Sequence, residues 1–210
     1  MNKGNERCIE YDDWLDRFWD LIEVCDTPII DLGCGGGNDT KYLTERGKKV
    51  IACDHDLEKI EELRVSIPEA ETLCMDMREC LPFENDSVQI VIADLSLHFF
   101  DSETTFKILE EITRILMKEG VLLFRVNAIP DYHTDRPGET ELEPHFYRTV
   151  RGSFRRFFDR PDIDLFFKGW ELLYLEEETM YRYRNPKYLW TGAVRVNKNL
   201  TCHGNNGLIQ

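Results

Sequence analysis

No apolar run in the sequence approaches the roughly 20 residues that a membrane helix requires. The first residues, MNKGNERCIEYDDW, also lack the apolar segment of a secretory signal peptide. We therefore expect a cytoplasmic protein that does not associate with membranes.

Positive charge is scarce. The sequence has 26 Lys and Arg residues against 40 Asp and Glu residues, which gives a formal net charge of −14. A surface of this sign repels phosphate backbones and anionic lipids over about one Debye length. Nucleic acid is therefore not an expected partner.

The sequence contains cysteines but no cysteine motif typical of metal binding or disulfide frameworks. The seven cysteines include no C-x-x-C pair and have no histidine doublet nearby, so neither a zinc site nor a disulfide framework is predicted. We expect no bound metal, and we interpret the cysteines as small buried apolar residues in a reducing compartment.

The composition predicts one domain. With 210 residues, 42% of them hydrophobic, the chain has enough apolar material for one core. We assign residues 1–196 to this domain and expect residues 197–210 to form a flexible tail.

Short apolar runs alternate with amphipathic segments, which predicts an α/β fold with a doubly wound, mostly parallel sheet. Helices are predicted at residues 40–46, 57–64 and 103–117. Further helices are predicted at 11–25, where aromatic residues recur at helical spacing, and at 145–159, after a polar loop at 130–144. Strands are predicted at residues 28–31, 50–54, 72–76, 88–94, 121–126, 170–175 and 189–196.

The segment 145–159 mixes aromatic and basic residues. As a helix it places Phe146, Val150 and Phe154 on one face and its arginines on the other, which favours a helix docked on the core over a nucleic-acid site. One of these arginines is a candidate for binding an acidic group on a small substrate.

The most specific motif is DLGCGGG at residues 31–37, between a predicted strand and a predicted helix. Its glycines let the backbone approach a ligand closely. A dinucleotide fingerprint would have glycine or alanine five residues after Gly33, where this chain has Asn38. Asp31, two residues before the first glycine, is unfavourable for a pyrophosphate and favours a cationic ligand.

Three more carboxylates stand at the ends of the next strands. Asp54 is placed to accept bonds from ribose hydroxyls. Asp76 is placed to accept a bond from an exocyclic amine while Met77 packs on the base. With Asp94 at the end of the fourth strand, four acids converge on one sheet edge, and a positively charged ligand offsets the repulsion that such clustering causes.

These motifs resemble those of class I S-adenosylmethionine-dependent methyltransferases, over residues 28–127. DLGCGGG is similar to the first motif of that family, and NDSVQIVIADLSLHF at residues 85–99 is similar to its fourth. LMKEGVLL at residues 116–123 resembles the turn into its fifth strand. The resemblance implies a seven-stranded Rossmann-like methyltransferase sheet with an antiparallel last strand, and S-adenosyl-L-methionine as cofactor.

The resemblance also implies a set of cofactor contacts. The first motif would hold the methionine amine, Asp54 the ribose and Asp76 the adenine, while the residues around Asp94 would line the sulfonium. The predicted cofactor-binding residues are Asp31, Gly33, Gly35, Gly37, Asp54, Asp76, Met77, Ala93, Leu95 and Tyr11.

Several candidates keep two interpretations. Asp94, His98 and His133 are the candidate catalytic residues. His98 is equally consistent with a hydrogen-bonded loop histidine, and His133 with a solvated loop residue. Tyr11 either closes over the cofactor or packs on the core at the start of the first helix.

The function predicted from these motifs is methyl transfer to a small-molecule acceptor by in-line displacement, carried out by a monomer or homodimer. Two alternatives stay open: a non-catalytic protein that binds the cofactor as a sensor or partner subunit, and a methyltransferase that acts on protein side chains.

Overall fold

The structure, a computed structural model, describes residues 13–131, 139–183 and 185–198. Two predicted site residues, Tyr11 and His133, lie outside the described residues. So do all but the first two residues of the predicted tail.

A seven-stranded sheet forms the centre of the fold, with strand order β3-β2-β1-β4-β5-β10-β9. Neighbouring strands from β3 to β5 are parallel, whereas β10 runs antiparallel to both β5 and β9. This arrangement confirms the predicted doubly wound sheet with its antiparallel last strand. The strands are β1 (Ile29–Leu32), β2 (Val50–Asp54), β3 (Glu71–Cys74), β4 (Val88–Asp94), β5 (Leu116–Asn127), β9 (Glu171–Met180) and β10 (Lys187–Arg195).

Three of the described helices begin at an aspartate whose side chain caps the first turn. Asp56 accepts hydrogen bonds from the backbone of Glu58 and Lys59, which confirms the predicted start of α3. Asp101 caps α4 through the backbone of Thr104. Within the part of the chain that the structure describes, no helix combines the length and apolar character needed to cross a membrane. The helices are α1 (Trp19–Glu23), α2 (Asn38–Glu45), α3 (Leu57–Ser66), α4 (Ser102–Ile115) and α5 (Arg160–Phe166).

Apolar side chains cover both faces of the sheet. On one face Ile108 and Ile112 of α4 and Phe166 of α5 pack against the strands. On the other face the N-terminal segment and α2 are buried, with Trp14 and Phe18 in the same cluster. Within the helix predicted at 11–25, the described residues form a 3₁₀ turn, Trp14–Phe18, followed by α1, and Trp14 and Phe18 are buried.

The helix predicted at 145–159 is wrong. Residues there form β7 (Phe146–Arg148) and β8 (Phe154–Arg156). With β6 (Thr140–Glu143) they make a small antiparallel sheet in which β7 is the middle strand and pairs with both others. Gly152 takes a φ of +82° in the connecting turn, a conformation that glycine adopts without strain. The aromatic residues that would share one face of a helix are also placed to meet across neighbouring strands. The rings of Phe146 and Phe154 stack in this way, with their centroids 5.7 Å apart.

The five cysteines that the structure describes differ in burial, with Cys25 partly buried. Cys34 and Cys53 are buried, as predicted, because the sheet and the glycine turn enclose them. Cys74 and Cys80 are exposed, which corrects that prediction, because β3 is an edge strand and Cys80 lies in the loop after it.

Candidate active site

A cavity of about 560 Å³ opens at the carboxyl ends of the parallel strands. It lies where the strand order reverses, with β1 between β2 and β4, the usual ligand position in open α/β sheets. All four predicted strand-end acids, Asp31, Asp54, Asp76 and Asp94, line it. The predicted convergence of these carboxylates is therefore present in the structure.

The glycine turn after β1 forms the floor of the cavity. Gly33 and Gly35 take φ values of +83° and +53°. A Cβ on Gly33 would lie 2.4 Å from the Cβ of Ser96, so the turn requires glycine there. Ser96 in turn donates a hydrogen bond of 2.7 Å to the carbonyl of Leu32 and joins the loop after β4 to the glycine turn.

Gly37 does not line the cavity. It precedes α2 with a φ of +78°, and a Cβ there would lie 2.1 Å from Leu63 Cδ1. In the structure this glycine therefore serves the close packing of the turn on α3, which does not by itself provide a cofactor contact.

Asp31 is buried at the end of β1. Its carboxylate accepts a hydrogen bond of 2.6 Å from Thr40 Oγ1. The pKa of Asp31 is raised to about 7. Burial is the main cause, the hydrogen bond from Thr40 acts in the opposite direction, and the negative charges of Asp94 and Asp54 add to the increase. A cationic amine beside this carboxyl group would favour its ionised form.

Asp39 is a lining acid that the sequence prediction missed. It is buried in the first turn of α2 and accepts a hydrogen bond of 2.9 Å from the indole nitrogen of Trp14. Burial, followed by the charge of Asp94, raises its pKa well above the ordinary range. In sequence it resembles an ordinary first-turn acid that interacts with the helix dipole, so no motif distinguishes it.

Asp54 shapes the site as well as lining it. Its Oδ2 accepts a hydrogen bond of 2.9 Å from the backbone of Gly35, and its Oδ1 accepts one of 3.0 Å from the backbone of Asp56. The carboxylate therefore joins the end of β2 to the glycine turn.

Asp76 is partly exposed and bound by Arg78. The guanidinium contacts both carboxylate oxygens, with Nη2 to Oδ2 at 2.5 Å and Nε to Oδ1 at 3.0 Å. These hydrogen bonds lower the pKa of Asp76. Met77 lies beside it on the cavity wall, near Gly33, as a side chain that packs on a base would.

Asp94 forms a buried ion pair. Arg125 donates from Nε at 2.7 Å and from Nη2 at 2.8 Å, one hydrogen bond to each carboxylate oxygen. Arg182 lies 3.6 Å from Oδ2 of the same carboxylate. Leu95, with a φ of +51°, lines the cavity next to it, whereas Ala93 is fully buried in β4 and does not.

His98 is buried beside the cavity and does not line it. Its ring lies 4.3 Å from that of Phe99, and its Nδ1 has no hydrogen-bond partner among the described residues. Burial, together with the positive charges of Lys187 and Arg155, holds its pKa well below the ordinary range. The neutral form of the ring is therefore favoured, and the side chain does not line the cavity in which a substrate would bind.

The far side of the cavity, opposite the acid-lined side, is lined mainly by aromatic side chains. We call it the aromatic end. Sequence reasoning missed it because its residues come from β8, from the turn before α4 and from the segment after β9, which no local motif connects. The aromatic end consists of Phe99, Phe100, Phe154, Arg182 and Tyr183.

A His–Asp–Asp group lies away from this cavity. His145, Asp159 and Asp162 bring their ligand atoms within 4.8 Å of one another. Asp159 and Asp162 form the capping box of α5, and His145 Nδ1 lies 2.7 Å from Asp162 Oδ2. Helix capping and one ion pair account for this arrangement.

Comparison with known proteins finds methyltransferases. Residues 30–124 match the family model of a methyltransferase domain. A trans-aconitate 2-methyltransferase of Azoarcus is 30% identical over 100 residues, which cover 47% of this chain and 38% of that protein. The curated relatives that this chain matches are longer than it, and the matched segments span less than half of the length of those relatives.

Solved structures match more of the chain. A SAM-dependent methyltransferase of Methanosarcina mazei has a TM-score of 0.70 at 18% identity, covering 81% of this chain and 92% of that one. The 1,6-didemethyltoxoflavin-N1-methyltransferase of Burkholderia thailandensis, solved with S-adenosylhomocysteine, has a TM-score of 0.61 at 18% identity, covering 81% and 72%.

The fold is therefore that of the S-adenosylmethionine-dependent methyltransferases. Residues 30–124 resemble a methyltransferase domain, and the solved structures with this fold include S-adenosylmethionine-dependent methyltransferases, one of them with S-adenosylhomocysteine bound.

Proposed function

We propose that this protein transfers the methyl group of S-adenosylmethionine to a small-molecule acceptor. The observation that carries the proposal is the two-part lining of one cavity. Carboxylates and the glycine turn line one side, and the aromatic end lines the other, so donor and acceptor can meet inside a single cavity.

The residues present fit the cofactor. Asp31, with the turn at Gly33 and Gly35, would hold the amine of the methionine part. Asp54 would accept hydrogen bonds from the ribose hydroxyls. Asp76 and Met77 would contact the adenine, once Arg78 releases or shares the Asp76 carboxylate.

Leu95 would line the space next to the sulfonium. The carboxylate of Asp94 is bound by Arg125, so Asp94 would act through its charge and not as a base. Tyr11 and His133 keep their proposed roles as a cover for the cofactor and as an acceptor-side residue.

The reaction requires little covalent chemistry from the protein. When bound, the cofactor supplies a methyl group on a positively charged leaving group. Orientation of the acceptor in line with the methyl–sulfur bond is the main contribution of the protein, and proximity effects reach roughly 7 to 11 kcal/mol in the best intramolecular models. A general base is required only for an acceptor that arrives protonated.

The names of two similar proteins bear on the size of the acceptor. The relative from Azoarcus is named for trans-aconitate, and the Burkholderia enzyme is bound to 1,6-didemethyltoxoflavin. Both names describe small molecules, which supports a small acceptor here.

The experiment uses S-adenosylmethionine carrying a radioactive methyl group, added with the protein to a cell extract. We expect label in the small-molecule fraction and a large reduction with Asp54→Asn. Label confined to the protein fraction would indicate a protein methyltransferase. Binding of S-adenosylhomocysteine by calorimetry without any transfer would indicate a sensor or partner subunit.

A further inference from the structure

We propose that the aromatic end of the cavity binds an uncharged, planar acceptor that stacks on the exposed rings of Phe99, Phe154 and Tyr183. This inference rests on the proposed methyl transfer and names the substrate class of the same site. The exposure of the three rings, the groups that support them and the charges around them carry it.

Three large rings at this end line the cavity and stay exposed. Phe99, Phe154 and Tyr183 are 45%, 41% and 49% exposed, and they come from the turn before α4, from β8 and from the segment after β9. Large apolar groups left open around a cavity are typical of ligand sites. They favour a flat acceptor over a puckered one of the same size, because aromatic groups gain most from stacking and edge contacts.

Two of these rings are held in place by a second ring. The ring centroid of Phe99 lies 4.3 Å from that of His98, which is buried. The ring of Phe154 stacks on that of Phe146, with the two planes 17° apart. Because these contacts fix the rings before an acceptor arrives, binding costs less conformational entropy.

The guanidinium of Arg182 supports the third ring and is already engaged within the protein. It lies 5.3 Å from the ring centroid of Tyr183 and donates a hydrogen bond of 3.2 Å to the Tyr183 hydroxyl. It also lies 3.6 Å from Asp94. None of the arginines in residues 145–159, which the sequence offers as candidates for binding an acidic group, lines the cavity. An anionic acceptor would therefore have to compete with Asp94 for its partner.

A cationic acceptor is disfavoured by the cofactor. The buried acids Asp31 and Asp39 lie on the side of the cavity where the amine and the sulfonium of S-adenosylmethionine would bind. Burial raises the pKa of both acids, so their ionised forms depend on the positive charge that the cofactor brings. A second positive charge within reacting distance would be repelled by the sulfonium. A neutral acceptor avoids this repulsion and the cost of burying a charge without a partner.

Methyl transfer to such an acceptor balances without a further reactant. A lone pair on a ring nitrogen, or on a hydroxyl or amino substituent, forms the new bond to the methyl carbon. The electrons of the carbon–sulfur bond return to sulfur, and the positive charge passes to the acceptor. An N–H or O–H proton of the acceptor then leaves to water.

The test measures binding to the protein saturated with S-adenosylhomocysteine, which fills the cofactor site. Four probes share one two-ring skeleton. The reference is naphthalene-2-carboxamide, which is neutral and planar. Naphthalene-2-carboxylate and naphthalene-2-carboxamidinium are its anionic and cationic analogues, and decahydronaphthalene-2-carboxamide is neutral but puckered. Calorimetry should show the planar amide binding at least about threefold more tightly than the puckered amide, and at least about tenfold more tightly than either ion.

Variants of the rings locate the preference. Phe154→Leu and Tyr183→Leu should each reduce the preference for the planar amide, while the affinity for S-adenosylhomocysteine stays within about twofold. Phe154→Trp, which keeps an aromatic ring, should retain the preference. The matched control is Phe106→Leu, because Phe106 is 37% exposed and does not line the cavity. It should leave every affinity unchanged.

Several results would overturn the inference and leave the proposed methyl transfer standing. They are equal affinity for the planar and the puckered amide, binding of either ion as tight as that of the planar amide, and no binding of any probe. Full planar preference in both leucine variants would also overturn it, and so would loss of S-adenosylhomocysteine from both, which would assign the rings to the cofactor. A wild-type protein that does not bind S-adenosylhomocysteine would instead overturn the proposed function, and this inference with it.

Discussion

Arg125 binds both carboxylate oxygens of Asp94 at 2.7 and 2.8 Å, and neither side chain is more than 10% exposed. The same guanidinium lies 4.6 Å from the ring centroid of Trp14, whose indole nitrogen donates to Asp39. One arginine on β5 therefore joins the cavity wall to the N-terminal segment. Asp94, which the sequence predicts to lie at the sulfonium, therefore also takes part in the structural support of the site.

Breaking this pair should strongly destabilise the fold. Arg125→Met leaves the Asp94 carboxylate buried without its main partner, and we expect a loss of about 3 kcal/mol in the free energy of unfolding. The exposed pair of Arg160 and Asp164 is the control, and Arg160→Met should cost about 0.5 kcal/mol or less. Urea denaturation measures both. Equal losses for the two variants would contradict the structural role of the buried pair.

Asp54→Asn should weaken cofactor binding. The amide can keep only part of the acceptor capacity that serves Gly35, Asp56 and the ribose, and a charged hydrogen bond contributes roughly 1.5 to 3 kcal/mol. We expect the dissociation constant of S-adenosylhomocysteine to rise at least about tenfold in calorimetry. Glu58→Gln, an exposed acid in the first turn of α3, should leave it unchanged. An unaltered affinity in a folded Asp54→Asn protein would remove this residue from the cofactor site.

The strand-end acids could be predicted because parallel strands bring their carboxyl ends to one edge, whatever the distant packing. The positions of Asp31, Asp54 and Asp76 could be predicted from the order of the strands and from the acidic residue at the end of each predicted strand. What each carboxylate binds depends on long-range contacts. The partner of Asp94 comes from β5, 31 residues later, and no local pattern indicates that bidentate pair.

The aromatic end could not be predicted for a related reason. Phe154 lies in β8, where the spacing of aromatic residues suits a helix as well as a strand. Tertiary packing decides between them: Arg156 on β8 is buried and contacts Glu143 on β6, the other edge of the small sheet, at 2.6 Å. Arg182 and Tyr183 follow an edge strand and reach the cavity only through the sheet order.

The raised pKa of Asp31, about 7, predicts two opposite pH effects. An unfolded aspartate titrates near 3.9, so between about pH 4 and pH 7 the folded protein holds a proton that the unfolded chain has lost. This group therefore lowers the free energy of unfolding as the pH rises through that window. Affinity for the cofactor amine should rise over the same window, because only the ionised carboxylate attracts a cation.

Denaturation and calorimetry with S-adenosylhomocysteine at about pH 5.5 and about pH 7.5 measure the two effects. Asp31→Asn cannot ionise, so both pH dependences should become smaller in that variant, although Asp39, whose pKa is also raised, continues to contribute. Identical pH profiles for the wild-type protein and Asp31→Asn would show that another group titrates.

Two glycines with the same backbone conformation allow strain and packing to be separated. Gly37 and Gly47 have φ values of +78° and +77°. A Cβ on Gly47 meets nothing within 4 Å, whereas a Cβ on Gly37 would lie 2.1 Å from Leu63 Cδ1 and 3.2 Å from Ile67 Cδ1. Gly47→Ala should therefore cost about 1 kcal/mol of unfolding free energy, from the left-handed backbone alone.

Gly37→Ala should cost that strain and a further ~1 to 3 kcal/mol, because the added methyl group must displace the buried side chain of Leu63. Since α2 starts directly after Gly37, the shift should also reach the cavity floor and weaken S-adenosylhomocysteine binding, an effect that Gly47→Ala should not share. Urea denaturation and calorimetry on the two variants provide the comparison. If both alanine variants lost the same stability and kept the same affinity, Gly37 would be required only for its backbone conformation, and its packing against Leu63 would have no influence on the site.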